Sequence, residues 1–318
     1  MKKSEKVGKK WGVEKVPKIV DNVVKSMFHV KQVEYKVNAN CELLQFLMEQ
    51  MPDSSRSKMK ELLSHSVCVD GRHVTQYNYP LQPGMVVTIE KVGYKERLKP
   101  RDLDIVYEDE HLFVVNKHEG LLSYSKKPGD TTVITVLNKY LQLTHQHYTA
   151  HIVHRLDRDT SGLMVVAKSK LVSQRFEADW KGLVNDRAYV AVAWGRVEPT
   201  EGTIKSWLTD GQYCVLSSPT DNGGKLAVTH YKVVRTSRRY SLLELRLETG
   251  RRNQIRVHLR EEKHPVVHDP MYGYKDDVSP ISRLALHAFR LGFTHPVTGR
   301  KLVFETPYPK SFVKLMEL

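Results

Sequence analysis

From residue 100 onward the apolar residues come in continuous runs rather than in strict alternation. HLFVVNK, GLMVVAK, RAYVAVAW and LLELRLET are rich in β-branched and aromatic residues. Runs of that length and composition predict strands. VITVLNKYL and SQRFEADW carry apolar residues at helical spacing and predict intervening helices. Strands and helices do not alternate regularly, so a doubly wound parallel sheet is not indicated. The expected fold class is α+β, a mixed and mainly antiparallel sheet with flanking helices. Residues 37–92 predict a smaller α-then-β unit. Leu43, Leu44, Phe46, Leu47 and Met51 form a helical stripe that stops at Pro52. Asp53, Ser54 and Ser55 are N-cap candidates for a second helix in SRSKMKELLSH. VCVDGRHV reads as two short strands around an Asp-Gly turn, and QPGMVVTIEKV as a last strand.

Charge divides the chain further. The 318 residues carry a formal net charge of +14. Ten lysines and four acids fall within residues 1–36, against 35 basic and 26 acidic residues in 93–318. Three parts are therefore expected: a basic, partly disordered arm at 1–36, a small domain at 37–92 and a large one at 93–318. With 40% hydrophobic residues the chain as a whole is too apolar to be disordered. The positive balance favours a polyanionic partner, nucleic acid first. Cys41, Cys68 and Cys214 stand apart with no C-x-x-C pair. That excludes a disulfide framework or clustered zinc site and suits a reducing compartment. Nothing resembles a signal peptide or a span of about 20 apolar residues. A cytoplasmic protein, monomeric by default, is expected.

Candidate chemistry concentrates in HIVHRLDRDTSGLMVVAKS, residues 151–169. Polar and charged residues crowd His154 to Thr160 and an apolar strand follows, a loop rigidly tied to a scaffold. Asp157 lies between Arg155 and Arg158, whose guanidinium groups are expected to lower its pKa and keep it ionised. An ionised carboxylate can serve as nucleophile or base. A turn-capping aspartate paired with surface arginines fits the same local string. In LETGRRNQIRVHLREEKHP a helix is expected to begin near Asn253, which sets Gln254, Arg256 and His258 at its start. Arg256 could offer a bidentate fork, although a basic helix on a solvated surface reads the same way. Tyr189 shares a strand face with Ala191 and Ala193, leaving room for a flat ring to stack, or is simply a core tyrosine. G-x-G-x-x-G, P-loop, H-E-x-x-H and G-x-S-x-G motifs are all absent, and HQH at 145–147 reads as a polar loop.

DIVYEDEHLFVVNKHEGLLS, HRLDRDTSGLMVVAKS, RAYVAVAWG, TGRRNQIRVHL, HPVVHDPMYG and RLALHAFRLGFTHPVTG, in that order, resemble the RluA family of RNA pseudouridine synthases. The resemblance spans almost all of residues 100–318. It implies an isomerase that extrudes a uridine from structured RNA, ribosomal or transfer, with large-subunit ribosomal RNA favoured. The base is detached from its ring nitrogen and rejoined to the sugar through C5. It implies Asp157 as catalytic carboxylate, Tyr189 as the stacking tyrosine and Arg256 as the partner of Asp157. It places His154 and Arg155 on the RNA side, with Arg155 filling the space the base vacates. No cofactor and no metal are implied. Whether the carboxylate attacks the sugar, attacks the base or removes a proton stays open. Residues 37–92 resemble an S-four-like RNA-binding module, implying that Arg56, Lys58 and Lys60 face an RNA backbone. Two positions depart from the family pattern: His118 stands where proline is frequent, and His268 where glycine is frequent. A non-catalytic RNA-binding or ribosome-assembly factor on the same fold is the alternative, and a base hydrolase releasing free uracil a weaker one.

Overall fold

A computed structural model describes residues 32–52, 54–90, 102–144 and 146–317. Most of the expected basic arm, the 92/93 boundary, Asp53 and His145 lie outside the described residues. The chain divides into two compact units, Met1–Lys95 and Glu96–Leu318.

In the first unit, β1 (Gln32–Lys36), β3 (Val67–Val69), β4 (Arg72–His73) and β6 (Val86–Glu90) form a sheet in the order β1-β6-β3-β4. β2 (Cys41–Glu42) pairs with β5 (Pro80–Leu81). The β3–β4 turn is the expected Asp-Gly pair, with both Asp70 and Gly71 at positive φ, as a two-residue hairpin turn of the primed type requires. Helices α1 (Leu43–Gln50) and α2 (Arg56–His65) supply Leu43, Leu44, Phe46, Leu47, Met59 and Leu63 to its core. Arg56 and Lys60 are exposed on α2, and Lys58 lies on the same helix.

The second unit is built on one large sheet. Its strands are β7 (Leu103–Glu108), β8 (Leu112–Lys117), β9 (His151–Ile152), β10 (Ser161–Ala167), β11 (Val184–Trp194), β12 (Glu201–Asp210), β13 (Val215–Ser218), β14 (Lys225–Thr236), β15 (Tyr240–Leu247), β16 (Leu286–Thr294) and β17 (Lys301–Glu305). The path runs β13-β12-β14-β15-β11-β16-β10-β8-β7, with β17 on β16 and β9 on β10. Among the described pairs in this sheet, all are antiparallel except β10–β16. The continuous apolar runs follow from burial on two faces. Along β10, Met164 and Val166 enter one core cluster while Leu163, Val165 and Ala167 enter another. Helix α3 (Val133–Leu143) covers the first face with Val133, Val136, Leu137 and Leu141. Helix α4 (Lys170–Ala178) covers the second with Val172 and Phe176. Thr132 and Ser169 cap these helices through their side-chain oxygens, each accepting a backbone N–H from the first turn. Three shorter helices complete the unit: α5 (Trp180–Leu183), α6 (Gln254–Glu261) and α7 (Lys310–Leu315). Among the described residues, no helix is long and apolar enough to cross a membrane.

Candidate active site

The turn that precedes β10 carries Asp157, and its backbone is fastened to the end of β8 and to the loop that follows it. Ser123 Oγ donates to the Leu156 carbonyl at 2.7 Å and accepts the Leu156 N–H at 3.1 Å. Lys117 Nζ donates to the carbonyls of His118, Leu121 and Arg158, each at 2.9 Å. Burial pulls the Lys117 pKa down to about 7, against the opposing pull of Asp159, Asp157 and Glu119. The Thr160 N–H closes the turn on the Asp157 carbonyl at 3.2 Å. The turn is held by its main-chain groups, mostly by the Ser123 and Lys117 side chains, so the Asp157 carboxylate is left to face a cavity.

That cavity has a volume of about 450 Å³, within the range of small-ligand sites. Asp157, Tyr189 and Arg256 all line it, from the turn, from β11 and from α6. Leu247, Ile255 and Leu286 add apolar wall. Tyr189 is 8% exposed, and burial raises its pKa, so its hydroxyl remains protonated at neutral pH. Ala191 and Ala193 on the same strand are fully buried in the core.

Arg256 forms the expected ion pair with Asp157, but its nearest carboxylate is Asp269. Nε and Nη2 form a bidentate pair with Asp269 at 2.7 Å each. Nη1 donates to Asn253 Oδ1 at 2.9 Å and stands 3.9 Å from Asp157 Oδ2. The Asp269 side chain is fully buried, and Oδ1 also accepts the N–H groups of Met271 and Tyr272. Asn253 precedes α6 at φ 53° and makes no side-chain cap bond. Its amide instead bridges Arg256 and the Tyr272 hydroxyl, 3.2 Å away. A residue type that ordinarily caps a helix is diverted here to hold the guanidinium.

Electrostatics around Asp157 differ from the expectation. Burial is the largest influence and raises its pKa, while Arg256, Arg155 and Lys117 act in the lowering direction. The arginines beside it in sequence do not prevail, because Arg158 turns to Asp159 at 3.1 Å and Arg155 is exposed. His154 is uncharged: its Nε2 accepts the Val165 N–H at 3.0 Å, and burial pushes its pKa down to about 3. Its ring lies 5.1 Å from that of Trp180. His154 therefore lines the cavity without offering charge to a phosphate.

Besides Arg256, the cations at the cavity are Arg155, Lys181, Arg187, Arg251 and Arg252. Of these five, Arg155 alone is singled out by the sequence. Arg187 lies over the Trp180 ring at 5.4 Å, and its Nη1 would be 3.1 Å from a Cβ at Gly250. The glycine leaves the room that this guanidinium occupies. Cys41, Cys68 and Cys214 form no disulfide. Among the described residues, no group of three or more His, Cys, Asp or Glu could hold a metal ion.

The departures from the family pattern fall outside the cavity lining. His118 Nε2 lies 2.9 Å from Asp104 Oδ2 in an exposed pair. His268 sits at φ 56°, a backbone region that explains why glycine is frequent there, and its N–H donates to Asp277 at 2.7 Å.

Comparison with known proteins bears on this arrangement. A family model for RNA pseudouridylate synthases matches residues 111–261, the segment that contains Asp157, Tyr189 and Arg256. The ribosomal large subunit pseudouridine synthase D of Escherichia coli (strain K12) is 36% identical over 294 residues, covering 86% of this chain and 89% of its own. An uncharacterised RNA pseudouridine synthase of Bacillus subtilis (strain 168) is 34% identical over 280 residues, covering 86% and 92%. Among solved structures, human RNA pseudouridylate synthase domain containing 1 matches with a TM-score of 0.55 and 25% identity, covering 67% of this chain and 86% of that one. The sheet, the order of the motif strings and identity across most of the chain agree, and the chain belongs to the RluA family of RNA pseudouridine synthases.

Proposed function

We propose that this chain isomerises a uridine of large-subunit ribosomal RNA to pseudouridine, with Asp157 as the catalytic carboxylate. The observation that carries this reading is the meeting of Asp157, Tyr189 and Arg256 in one cavity rimmed by cations. An RNA strand brings its phosphates to the exposed Arg155, Lys181, Arg251 and Arg252. The target base leaves its stack, enters the cavity and lies against the Tyr189 ring. The carboxylate of Asp157 acts on the nucleoside while the bond from C1′ to the ring nitrogen breaks. The uracil turns, C5 bonds to C1′, the C5 proton leaves to solvent, and the freed ring nitrogen takes up a proton in its place. Arg256 fixes positive charge 3.9 Å from the carboxylate throughout. Because Asp269 and Asn253 already occupy its other donors, it need not reorganise during the reaction. The relatives named for ribosomal large subunit modification support the choice of RNA. Arg56, Lys58 and Lys60 on α2 are proposed as a second set of phosphate contacts, on an S-four-like module.

Tritium release from C5-labelled uridine in RNA tests the reading. Total large-subunit ribosomal RNA and transfer RNA, from cells lacking this protein, are offered separately to the full chain. Release from the ribosomal pool alone is expected. Release from transfer RNA alone would overturn the substrate, and release from neither, with binding retained, would favour the RNA-binding alternative.

A further inference from the structure

Behind the Asp157 turn runs a line of buried polar groups that the reaction as described does not use. Arg283 Nη1 donates to Glu119 Oε2 at 2.8 Å, and its Nη2 donates to Ser161 Oγ at 2.5 Å. Ser161 Oγ lies 2.6 Å from His287 Nδ1. His287 Nε2 lies 2.9 Å from Thr306 Oγ1, which donates to the Phe289 carbonyl at 3.3 Å. Ser161 is 4% exposed and His287 4% exposed.

Proton bookkeeping gives this line one direction. A guanidinium only donates, so Ser161 Oγ accepts from Arg283. The Ser161 proton then goes to His287 Nδ1, which must be bare. The imidazole proton sits on Nε2 and goes to Thr306, whose own proton goes to the Phe289 carbonyl. Every group is satisfied only when His287 is neutral and carries its proton on Nε2. Burial, helped by Arg283, pushes the His287 pKa down to about 3, in agreement with the neutral ring.

The place of Ser161 gives the line its meaning. Ser161 opens β10 directly after the turn, and it registers against His287 in the parallel pairing of β10 with β16. Its neighbour Gly162 has φ 123°, and a Cβ there would lie 2.3 Å from the Ala288 carbonyl oxygen. The first two residues of β10 are thus pressed onto β16. The turn is gripped at Leu156 by Ser123, at Arg158 by Lys117 and at Ser161 by Arg283 and His287. The first grip comes from the loop after β8 and the second from Lys117, the last residue of β8. The third returns to that loop through Glu119.

We propose that Ser161, His287 and Arg283 form a positioning relay that fixes the Asp157 carboxylate against the bound uridine. The proposal rests on the assignment of Asp157 as the catalytic carboxylate. None of the three lines the cavity, so the relay acts on the rate of the chemical step and not on RNA affinity. A displacement of about 1 Å at a reacting group costs on the order of a hundredfold in rate.

The test is single-turnover tritium release by the full chain at saturating RNA, with Kd and Tm measured beside it. Ser161→Ala is the main variant, because it removes one oxygen and leaves the fold in place. It is expected to slow the chemical step by about 10- to 100-fold, with Kd unchanged within about twofold. His287→Leu should do the same, and the double variant should be no slower than the worse single, since both break one line. His287→Asn keeps an acceptor for the Ser161 proton and should recover a rate within about threefold of wild type. A Ser161→Ala rate within twofold of wild type would overturn the relay. So would losses that multiply in the double variant, a loss carried by Kd, or equal rates for His287→Asn and His287→Leu. Asp157→Asn is run in parallel. Turnover by that variant would refute the assignment of Asp157 itself, whatever the Ser161 variants do.

Discussion

Asp157 and Arg256 face each other across 3.9 Å, yet the protein holds them in opposite ways. Around Asp157 it is the backbone that is secured, and the carboxylate remains 23% exposed with its pKa raised. Around Arg256 it is the side chain that is secured. Its fork is saturated by Asp269 and Asn253, it is 6% exposed, and its pKa is raised as well. A raised pKa means opposite things for the two groups. For the arginine it reports a charge well accommodated, and for the aspartate a charge held at a cost. The acid is left poised and the base is left fixed. Free energy is stored in the group proposed to react, and stability comes from the group that holds still beside it.

Removing Asp269 should break this contrast most severely. Asp269→Ala strands a buried guanidinium, and breaking such a pair costs about 3–5 kcal/mol. Chemical denaturation should show that loss, and the released arginine should draw toward Asp157. The cationic rim comes next. Arg155→Ala with Lys181→Ala should weaken RNA binding by roughly tenfold at low salt. Each removed cation should also flatten the plot of log affinity against log salt by about 0.7–0.9. An unchanged slope would remove these residues from the RNA path.

Smaller effects sharpen the comparison. His268→Gly relieves a left-handed backbone position beside Asp269 and should stabilise the fold by about 1 kcal/mol or less, read as a rise in Tm. Asp157→Asn should raise Tm by roughly 1–3 °C at neutral pH. The sign follows from linkage. A carboxyl whose folded pKa lies above its unfolded value destabilises the fold while ionised, and that cost fades as pH falls. The neutral amide removes the cost at neutral pH, and Arg256 keeps Asp269 as a partner. With the Asp157 anion as the proposed active form, the acid limb of kcat/KM should lie above the ordinary carboxylate range. A limb at or below that range would contradict the burial of Asp157.

Much of this architecture is written in local pattern, and the rest is not. The runs in β8, β10 and β11 announce themselves because both faces of each strand are covered. The Asp70-Gly71 turn and the start of α6 beside Asn253 are equally local. The parallel pairing of Ser161 with His287 is not, because nothing near either residue points to a partner more than a hundred residues away. Asp157 stood out only through the motif around it. Its local neighbours suggested a lowered pKa, and burial from distant segments reversed the sign. Asp269 stood in plain view in HPVVHDPMYG, but a lone aspartate after a histidine carries no mark of a guanidinium 13 positions earlier. Arg251 and Arg252 read as surface charge until β11, the end of β15 and the turn enclosed a cavity beside them.

The measurement that bears most directly on the account is single-turnover tritium release by Asp157→Asn and wild type, on the same RNA, with binding measured in parallel. The account predicts that the variant binds the RNA within about twofold of wild type and releases no tritium above background. Release by Asp157→Asn at a rate near that of wild type would show that the carboxylate at the cavity floor is not the group that performs the isomerisation.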